Sequence, residues 1–269
     1  MPFAGRRVVA FESRRAAEIG ELIRKQGGEP FVAPAMREAP LEDHSAAFDF
    51  AERLFAGEIE MVVLLTGVGT RQLARVVATR YPEPAFADAL RRVTVVARGP
   101  KPVAALREMG LSATVIAPEP NTWRELLAAI EGRPERRIAV QEYGRSNPEL
   151  LEGLRAGGAE VSTVRIYQYA LPENTEPLRE AARRLAASEF DVALFTTGVQ
   201  IEHLARVAGE LGIEAEALAG VRRCFVGSIG PTTTEALEEF GIHPNMEPAH
   251  PKMGLLVMEA ADKVTAGRE

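Results

Sequence analysis

The sequence predicts an α/β protein made of two flavodoxin-like, doubly wound parallel-sheet domains, and three observations carry that expectation. Short continuous apolar runs, V-V-L-L (62–65) and V-A-L-F (192–195), read as strands covered on both faces by helices. Longer stretches of 3.6-residue periodicity alternate with these runs, which is the order of a βαβ chain. The chain also overlies itself at a constant offset of 131 residues: T-G-V-G-T-R-Q-L-A-R-V-V (66–77) matches T-G-V-Q-I-E-H-L-A-R-V-A (197–208) at seven of twelve positions. Gly99, Pro100, Leu106 and Gly110 fall on Gly230, Pro231, Leu237 and Gly241, and Pro120 on Pro251. Arg14, Arg24, Gly27 and Glu29 fall on Arg145, Arg155, Gly158 and Glu160. Helix composition alone does not keep turn glycines and prolines in phase over separate segments, so the chain reads as internally duplicated.

In the first copy strands are expected at Arg7–Phe11, Glu29–Pro34, Met61–Leu65, Val93–Ala97 and Ala113–Ala117. Helices are expected between them near 14–26, 44–56, 68–80, 101–109 and 122–131. The second copy places strands at 137–141, 160–166, 191–195, 222–226 and 243–247. Two proline-bearing stretches interrupt the pattern, V-A-P-A-M-R-E-A-P-L-E-D (32–43) and Y-Q-Y-A-L-P-E-N-T-E-P (167–177). Read as crossovers, with linkers near 33–42 and 167–177, they make 38–170 one continuous domain. Residues 1–35 and 173–269 then close into a second, discontinuous domain, joined by a two-stranded linker with a cleft between the two.

Composition excludes several classes. The chain is 46% hydrophobic and 26% charged, suited to a sizeable core and not to disorder. A net charge of −6 argues against a nucleic-acid or anionic-membrane partner. No apolar run approaches the ~18 residues of a membrane span, and the first residues lack a secretory pattern, so a cytoplasmic protein is expected. The single cysteine, Cys224, excludes an internal disulfide and reads as a small core residue. His44, His203, His243 and His250 lack metal-ligand spacing and read as surface or structural, so no metal is expected. With no heptad or extended apolar face, a monomer is expected.

In doubly wound sheets ligands bind beyond the carboxyl ends of the strands. Four turns there are rich in small residues: T-G-V-G-T (66–70), R-G-P-K-P (98–102), T-T-G-V (196–199) and G-S-I-G-P-T-T-T (227–234). Helix starts of this kind can receive an anion on backbone N–H groups, although ordinary capping accounts for any one of them. Together Thr66, Gly67, Thr196, Thr197, Gly198, Ser228, Thr232 and Thr233 point to a polyanionic small molecule. Glu12 and Glu142 read as solvated carboxylates, and Tyr143 and Trp123 as cleft walls or packing residues. Tyr167 and Tyr169 stand in the second crossover, where a phenol of pKa ~10 would serve as donor or general acid. A cytosolic two-lobed binding protein for a polyanion stands beside an enzyme as a reading of these features.

The R-I-Y-Q-Y segment (165–169) after G-A-E-V (158–161), the F-T-T-G strand end (195–198), G-P-T-T-T-E-A-L (230–237) and P-K-M-G-L-L (251–256) resemble the uroporphyrinogen-III synthases, in order and spacing over essentially the whole chain. The resemblance implies two flavodoxin-like domains joined by a two-stranded ladder. It also implies a cofactor-free lyase reaction, the cyclisation of the linear tetrapyrrole hydroxymethylbilane to uroporphyrinogen III with inversion of ring D and loss of water. By that resemblance Tyr167 is the family's linker tyrosine, favoured to assist departure of the hydroxyl group. Thr233, with Thr232 beside it, is the threonine of the helix start, Thr196 and Thr197 are the strand-end hydroxyls, and Arg14 follows the first strand. Pro102 departs from the family pattern, where many relatives carry threonine, which leaves Arg98 and Lys101 as the carboxylate contacts of that turn.

Overall fold

The computed structural model describes residues 3–142, 144 and 146–266. In chain order it begins β1 (Arg7–Ala10), α1 (Ala16–Lys25), β2 (Glu29–Val32), β3 (Arg37–Pro40), α2 (Ser45–Phe55), β4 (Met61–Leu64) and α3 (Gly67–Ala78). It continues α4 (Glu83–Leu90), β5 (Thr94–Ala97), α5 (Pro100–Glu108), β6 (Val115–Ile116), α6 (Trp123–Ile130), β7 (Arg137–Glu142), α7 (Pro148–Ala156), β8 (Glu160–Arg165) and β9 (Tyr167–Ala170). It ends α8 (Glu176–Ala186), β10 (Val192–Phe195), α9 (Val199–Glu210), α10 (Glu214–Arg223), β11 (Phe225–Ser228), α11 (Pro231–Glu239) and α12 (Met253–Ala266). The chain divides into two compact units, one of Met1–Arg37 with Ala170–Glu269 and one of Glu38–Tyr169. Strands β3 and β9, each holding a boundary between the units, pair as a two-stranded sheet.

The first unit carries a parallel sheet in the order β11-β10-β1-β2. The second carries β6-β5-β4-β7-β8, also parallel. Read from the opposite edge, both sheets follow the flavodoxin-type winding, with the direction of winding reversing between β1 and β10 in one unit and between β7 and β4 in the other. Four pairs of elements, α2 and α8, β4 and β10, β5 and β11, and α5 and α11, keep the 131-residue offset at both ends.

Period-2 alternation explains why the strand runs are apolar throughout. Val9, Phe11, Ala193 and Phe195 face one core layer, with Phe11 stacked on Phe195 at 4.8 Å between ring centres. Val8, Ala10, Val192 and Leu194 face the other layer, beneath α1 and α12. In the second unit Val62 and Leu64 point to one layer and Met61, Val63 and Leu65 to the opposite one. Local chemistry sets helix starts: Thr66 and Asn147 cap α3 and α7, and Thr122 with Glu125 forms a capping box on α6.

Several expected elements differ. Helices α4 and α10 were not expected, because each is a short helix wedged between a longer helix and a strand. The strand expected at 222–226 begins at Phe225, since α10 runs to Arg223, where Arg222 donates to the carbonyls of Gly241 and Phe240. The strand expected at 243–247 reduces to one bridge, Gly227 to Met246, while Asn245 Oδ1 accepts the Val226 N–H where a backbone carbonyl would. The strand expected at Ala113–Ala117 spans Val115–Ile116, and that at Glu29–Pro34 stops at Val32. Helix α1 starts at Ala16, two residues late, because the Glu12 carboxylate accepts the N–H groups of Arg14 and Arg15. The two-stranded linker read across the proline-bearing stretches is formed by β3 and β9.

Candidate functional site

The turns at the carboxyl ends of the strands share one construction in both units. In the second unit Thr66 caps α3, its Oγ1 accepting the Gly69 N–H at 3.0 Å. Gly67 follows because α3 and α5 start side by side: a Cβ there would lie 2.5 Å from the Lys101 carbonyl oxygen. In the first unit Gly198 holds the same place, where a Cβ would lie 2.6 Å from Ala236 Cβ and 3.4 Å from the Thr232 carbonyl oxygen. Two helix starts are thereby packed together in each unit, concentrating the positive ends of two helix dipoles.

The second unit collects Thr66, Gly67, Arg98, Lys101 and Tyr167. The Tyr167 ring is buried among Leu65, Leu126 and Leu150, with 1% of the residue exposed, and its hydroxyl meets Thr66 Oγ1 at 3.1 Å. Expected to project from a linker, it is a core residue of this unit, because period-2 alternation along β9 turns it inward. Arg98 follows β5, its N–H donating to the Leu64 carbonyl at 3.0 Å. The Asn121 amide, oriented to donate, reaches the Arg98 carbonyl at 3.0 Å and the Ala117 carbonyl at 3.1 Å. Lys101 is exposed in the first turn of α5, where Pro100 and Pro102 carry no N–H. This turn is therefore poorer in backbone donors than its small residues suggested.

The first unit collects Arg14, Thr196, Thr197, Gly198, Ser228, Thr232 and Thr233. Arg14 and Thr232 are exposed. Ser228 is fully buried, its hydroxyl spent on the Gly230 carbonyl at 3.1 Å and on Thr234 Oγ1 at 2.9 Å. Thr233 is 4% exposed on the inward face of α11 with Ala236 and Leu237, and its N–H bonds the Gly230 carbonyl at 2.9 Å. Helical periodicity thus leaves Thr232 as the outward threonine of that pair.

Both carboxylates read as solvated are engaged. Glu12 accepts the Thr196 hydroxyl as well as two N–H groups at the start of α1. Glu142 is 4% exposed, accepting the Ser146 hydroxyl at 2.6 Å and Arg165 Nη2 at 3.4 Å. Trp123 opens α6 half-buried against the core, with the Arg124 guanidinium 4.4 Å over its ring. Tyr143 and Arg145 lie outside the described residues. His203 Nδ1 bonds the Ala35 carbonyl at 2.7 Å as a structural residue, and His243 and His250 are exposed. Cys224 is buried, and burial first, with Asp191 second, pushes its thiol up to about 12. Among the described residues no cluster of three or more His, Cys, Asp or Glu side chains is placed to hold a metal ion. No helix among them is long and apolar enough to cross a membrane.

Sequence reasoning missed Gln141, near the end of β7, and Gln200, in the first turn of α9, which are 0% and 1% exposed. Gln141 Oε1 accepts the Thr66 N–H at 3.4 Å while Nε2 donates to the Glu142 carbonyl. Gln200 Oε1 accepts the N–H groups of Thr196 and Thr197 at 2.8 and 3.3 Å, and Nε2 donates to the Phe11 carbonyl at 3.0 Å. An amide inside the apolar runs A-V-Q-E and G-V-Q-I was the available signal. A cavity of about 310 Å³ lined by Leu90, Arg91, Val95 and Leu111 lies at the amino end of β5, the opposite end from these turns.

Paired helix starts beside the winding reversals of two doubly wound sheets define a duplex α/β protein of the flavodoxin-like class. The chain belongs to the uroporphyrinogen-III synthase family: the profile of uroporphyrinogen-III synthase HemD matches residues 17–258. It is 30% identical over 261 residues to the uncharacterized protein YjjA of Bacillus subtilis, covering 96% of this chain and 95% of that one. It is 30% identical over 231 residues to a putative uroporphyrinogen-III synthase of Methanothermobacter thermautotrophicus, covering 85% and 87%. In fold it is similar to a mutant uroporphyrinogen III synthase of Thermus thermophilus, with TM-score 0.75, 24% identity and coverage of 98% and 100%. The wild-type Thermus protein in another crystal form gives TM-score 0.58 with the same identity and coverage. The family makes this chain an enzyme of tetrapyrrole synthesis, and the binding-protein alternative is not favoured.

Proposed function

We propose that the protein is a cyclising hydro-lyase that converts hydroxymethylbilane to uroporphyrinogen III with inversion of ring D. The observation that carries this reading is the family match over residues 17–258, joined to the paired helix starts. The substrate's eight carboxylates suit those helix starts. Thr66, Gly67, Arg98 and Lys101 in one unit, and Arg14, Thr196, Thr197, Gly198 and Thr232 in the other, receive them. Ser228 and Thr233, being buried, shape their turn from behind.

Chemistry begins with cleavage of the C–O bond of the hydroxymethyl group, which leaves as water and an azafulvenium cation on ring A. Thr66 Oγ1 already accepts the Gly69 N–H and stands 3.1 Å from the Tyr167 hydroxyl. The Tyr167 hydroxyl donates to Thr66, which passes its own proton to the departing oxygen. The substituted α-carbon of ring D attacks the cation to form a spiro intermediate. That intermediate fragments and recloses inverted, and the proton lost as the pyrrole rearomatises returns to Tyr167. Water is the only net loss. The substrate also cyclises unaided to the uninverted isomer, so holding one conformation supplies the larger part of the selectivity and acid catalysis the smaller. The test is incubation of purified protein with hydroxymethylbilane and separation of type I from type III product. Type III in excess over the unaided mixture supports the reading, and type I alone overturns it.

A further inference from the structure

We propose that Gln141 and Gln200 are positioning residues, each locking the winding reversal of one sheet so that the strand-end threonines present to substrate in a fixed geometry. The proposal rests on the reading above for what the turns hold. Its structural ground is a correspondence under the 131-residue offset. Thr66 falls on Thr197, and Glu142 falls on Phe11. In each unit one buried glutamine amide bridges this same pair of backbone groups, accepting the threonine N–H and donating to the carbonyl across the gap. The glutamines themselves do not correspond. Gln141 sits on β7, where the other copy has Ala10, and Gln200 sits on α9, where the other copy has Gly69.

The two arrangements exclude one another within a unit. A Cβ on Gly69 would lie 2.1 Å from Gln141 Nε2, so the amide can arrive from the strand or from the helix but not both. The chain thus builds one bridge by two routes, which singles out the bridge, not either sequence position, as what the fold maintains. An apolar side chain would fill the same space without the desolvation cost of a buried amide. What the amide adds is direction. The gap it closes, between β4 and β7 and between β10 and β1, is the crevice where doubly wound sheets ordinarily seat a ligand. With the amide in that crevice, a ligand is left to the rim, where Thr66, Thr196 and Thr197 are partly exposed. In the first unit the lock extends outward: Gln200 Nε2 donates to Thr196 Oγ1 at 2.9 Å, and Thr196 donates to Glu12 at the start of α1.

The experiment compares wild type, Gln141→Ala, Gln141→Met and the double variant Gly69→Gln/Gln141→Ala, which moves the amide to the helical position used by the other unit. Steady-state rates of type III formation are read with the folded fraction from thermal melts, and hydrogen exchange of the Thr66 amide is followed by NMR. Because Thr66 relays the proton as well as lining the turn, Gln141→Ala is expected to lower kcat/KM about 10-fold beyond any loss of folded protein. The Thr66 amide should exchange about 10-fold faster, Gln141→Met should match Gln141→Ala, and the double variant should recover kcat/KM and protection to within about 3-fold. A loss confined to kcat in proportion to the folded fraction, or a folded double variant without recovery, overturns the proposal. If Gln141→Ala does not fold, Gln141→Met and the double variant carry the same comparison. Should wild type make no type III isomer, the reaction reading fails on its own, and Thr66 exchange unchanged in Gln141→Ala or Gln141→Met would overturn the lock.

Discussion

Replacing Tyr167 by Phe removes one hydroxyl and keeps a ring that is packed among Leu65, Leu126 and Leu150. The structural cost follows from its partner. Thr66 Oγ1 keeps the Gly69 N–H at 3.0 Å and is partly exposed to water, so the lost bond should cost about 1 kcal/mol and the fold should survive. The kinetic cost should be larger, because the hydroxyl replenishes the proton that Thr66 gives up. General acids contribute ~10²–10⁴-fold, and a leaving group that departs unaided places this one near the lower end, about 100-fold or 2.7 kcal/mol. Thr66→Val should lose a similar factor, since it removes the intervening oxygen. The assay is the initial rate of type III formation after subtraction of spontaneous type I product. Tyr169→Phe is the control, its ring edge-on to Tyr167 at 5.7 Å. Near wild-type activity in Tyr167→Phe would remove the phenol from the mechanism and leave a site working by shape and charge alone.

Other consequences can be read in stability and reactivity. A Cβ on Gly220 would lie 2.0 Å from the Leu185 carbonyl oxygen, so Gly220→Ala must separate α10 from α8 and should cost about 1–3 kcal/mol in chemical denaturation. Gly254→Ala in α12 meets nothing within 4 Å and should stabilise by up to about 1 kcal/mol; equal effects from the two would discredit the packing argument. The Arg133 guanidinium, with Thr94, holds Glu135 down at about 2 against the opposing effect of burial. A depressed carboxyl stabilises above its unfolded pKa, so stability from this site should fall as pH drops from about 5 to 2. With Arg133 one-third exposed, solvent screening reduces the loss to about 1–2 kcal/mol, and Glu135→Gln should flatten that stretch of the profile. Cys224, buried and pushed up to about 12, should react with a thiol reagent at pH 8 only on unfolding, and rapid native labelling would show the site to be open.

What the sequence disclosed and what it hid divide along the range of the interactions. Strand cores such as V-V-L-L follow from local hydrophobicity, and the 131-residue offset reappears in the bounds of α2 and α8 or α5 and α11. Helices α4 and α10 escaped because eight to ten residues between stronger elements carry too little periodicity. The carboxylates were misjudged for a different reason. Glu12 meets Thr196, 184 residues away, and Glu142 meets Arg165 on a neighbouring strand, partners that no local window contains. Gln141 and Gln200 were hidden likewise, since their meaning lies in backbone groups brought together only by the sheet. Tyr167 was found as a residue of the two-stranded linker, but its inward direction was hidden, because the Leu65 and Leu126 it packs with lie far off in sequence.

The interleaving of the chain has a consequence for synthesis on the ribosome. The unit of Glu38–Tyr169 is complete as soon as its last strand emerges. The unit begun by β1, α1 and β2 must wait for β10, which lies between β1 and β11 in its sheet. At ~5–20 residues per second, the roughly 160 residues from the end of β2 to the end of β10 take on the order of 8–33 s to make. Throughout that interval Val8, Val9 and Phe11, each fully buried in the finished protein, have no sheet to join. The nascent chain therefore exposes an adhesive apolar segment at its leading end while a finished domain already hangs behind it. Truncations lacking the last hundred residues should consequently be held by chaperones through their N-terminus, and deletion of residues 1–37 together with 170–269 should leave a soluble, folded remainder.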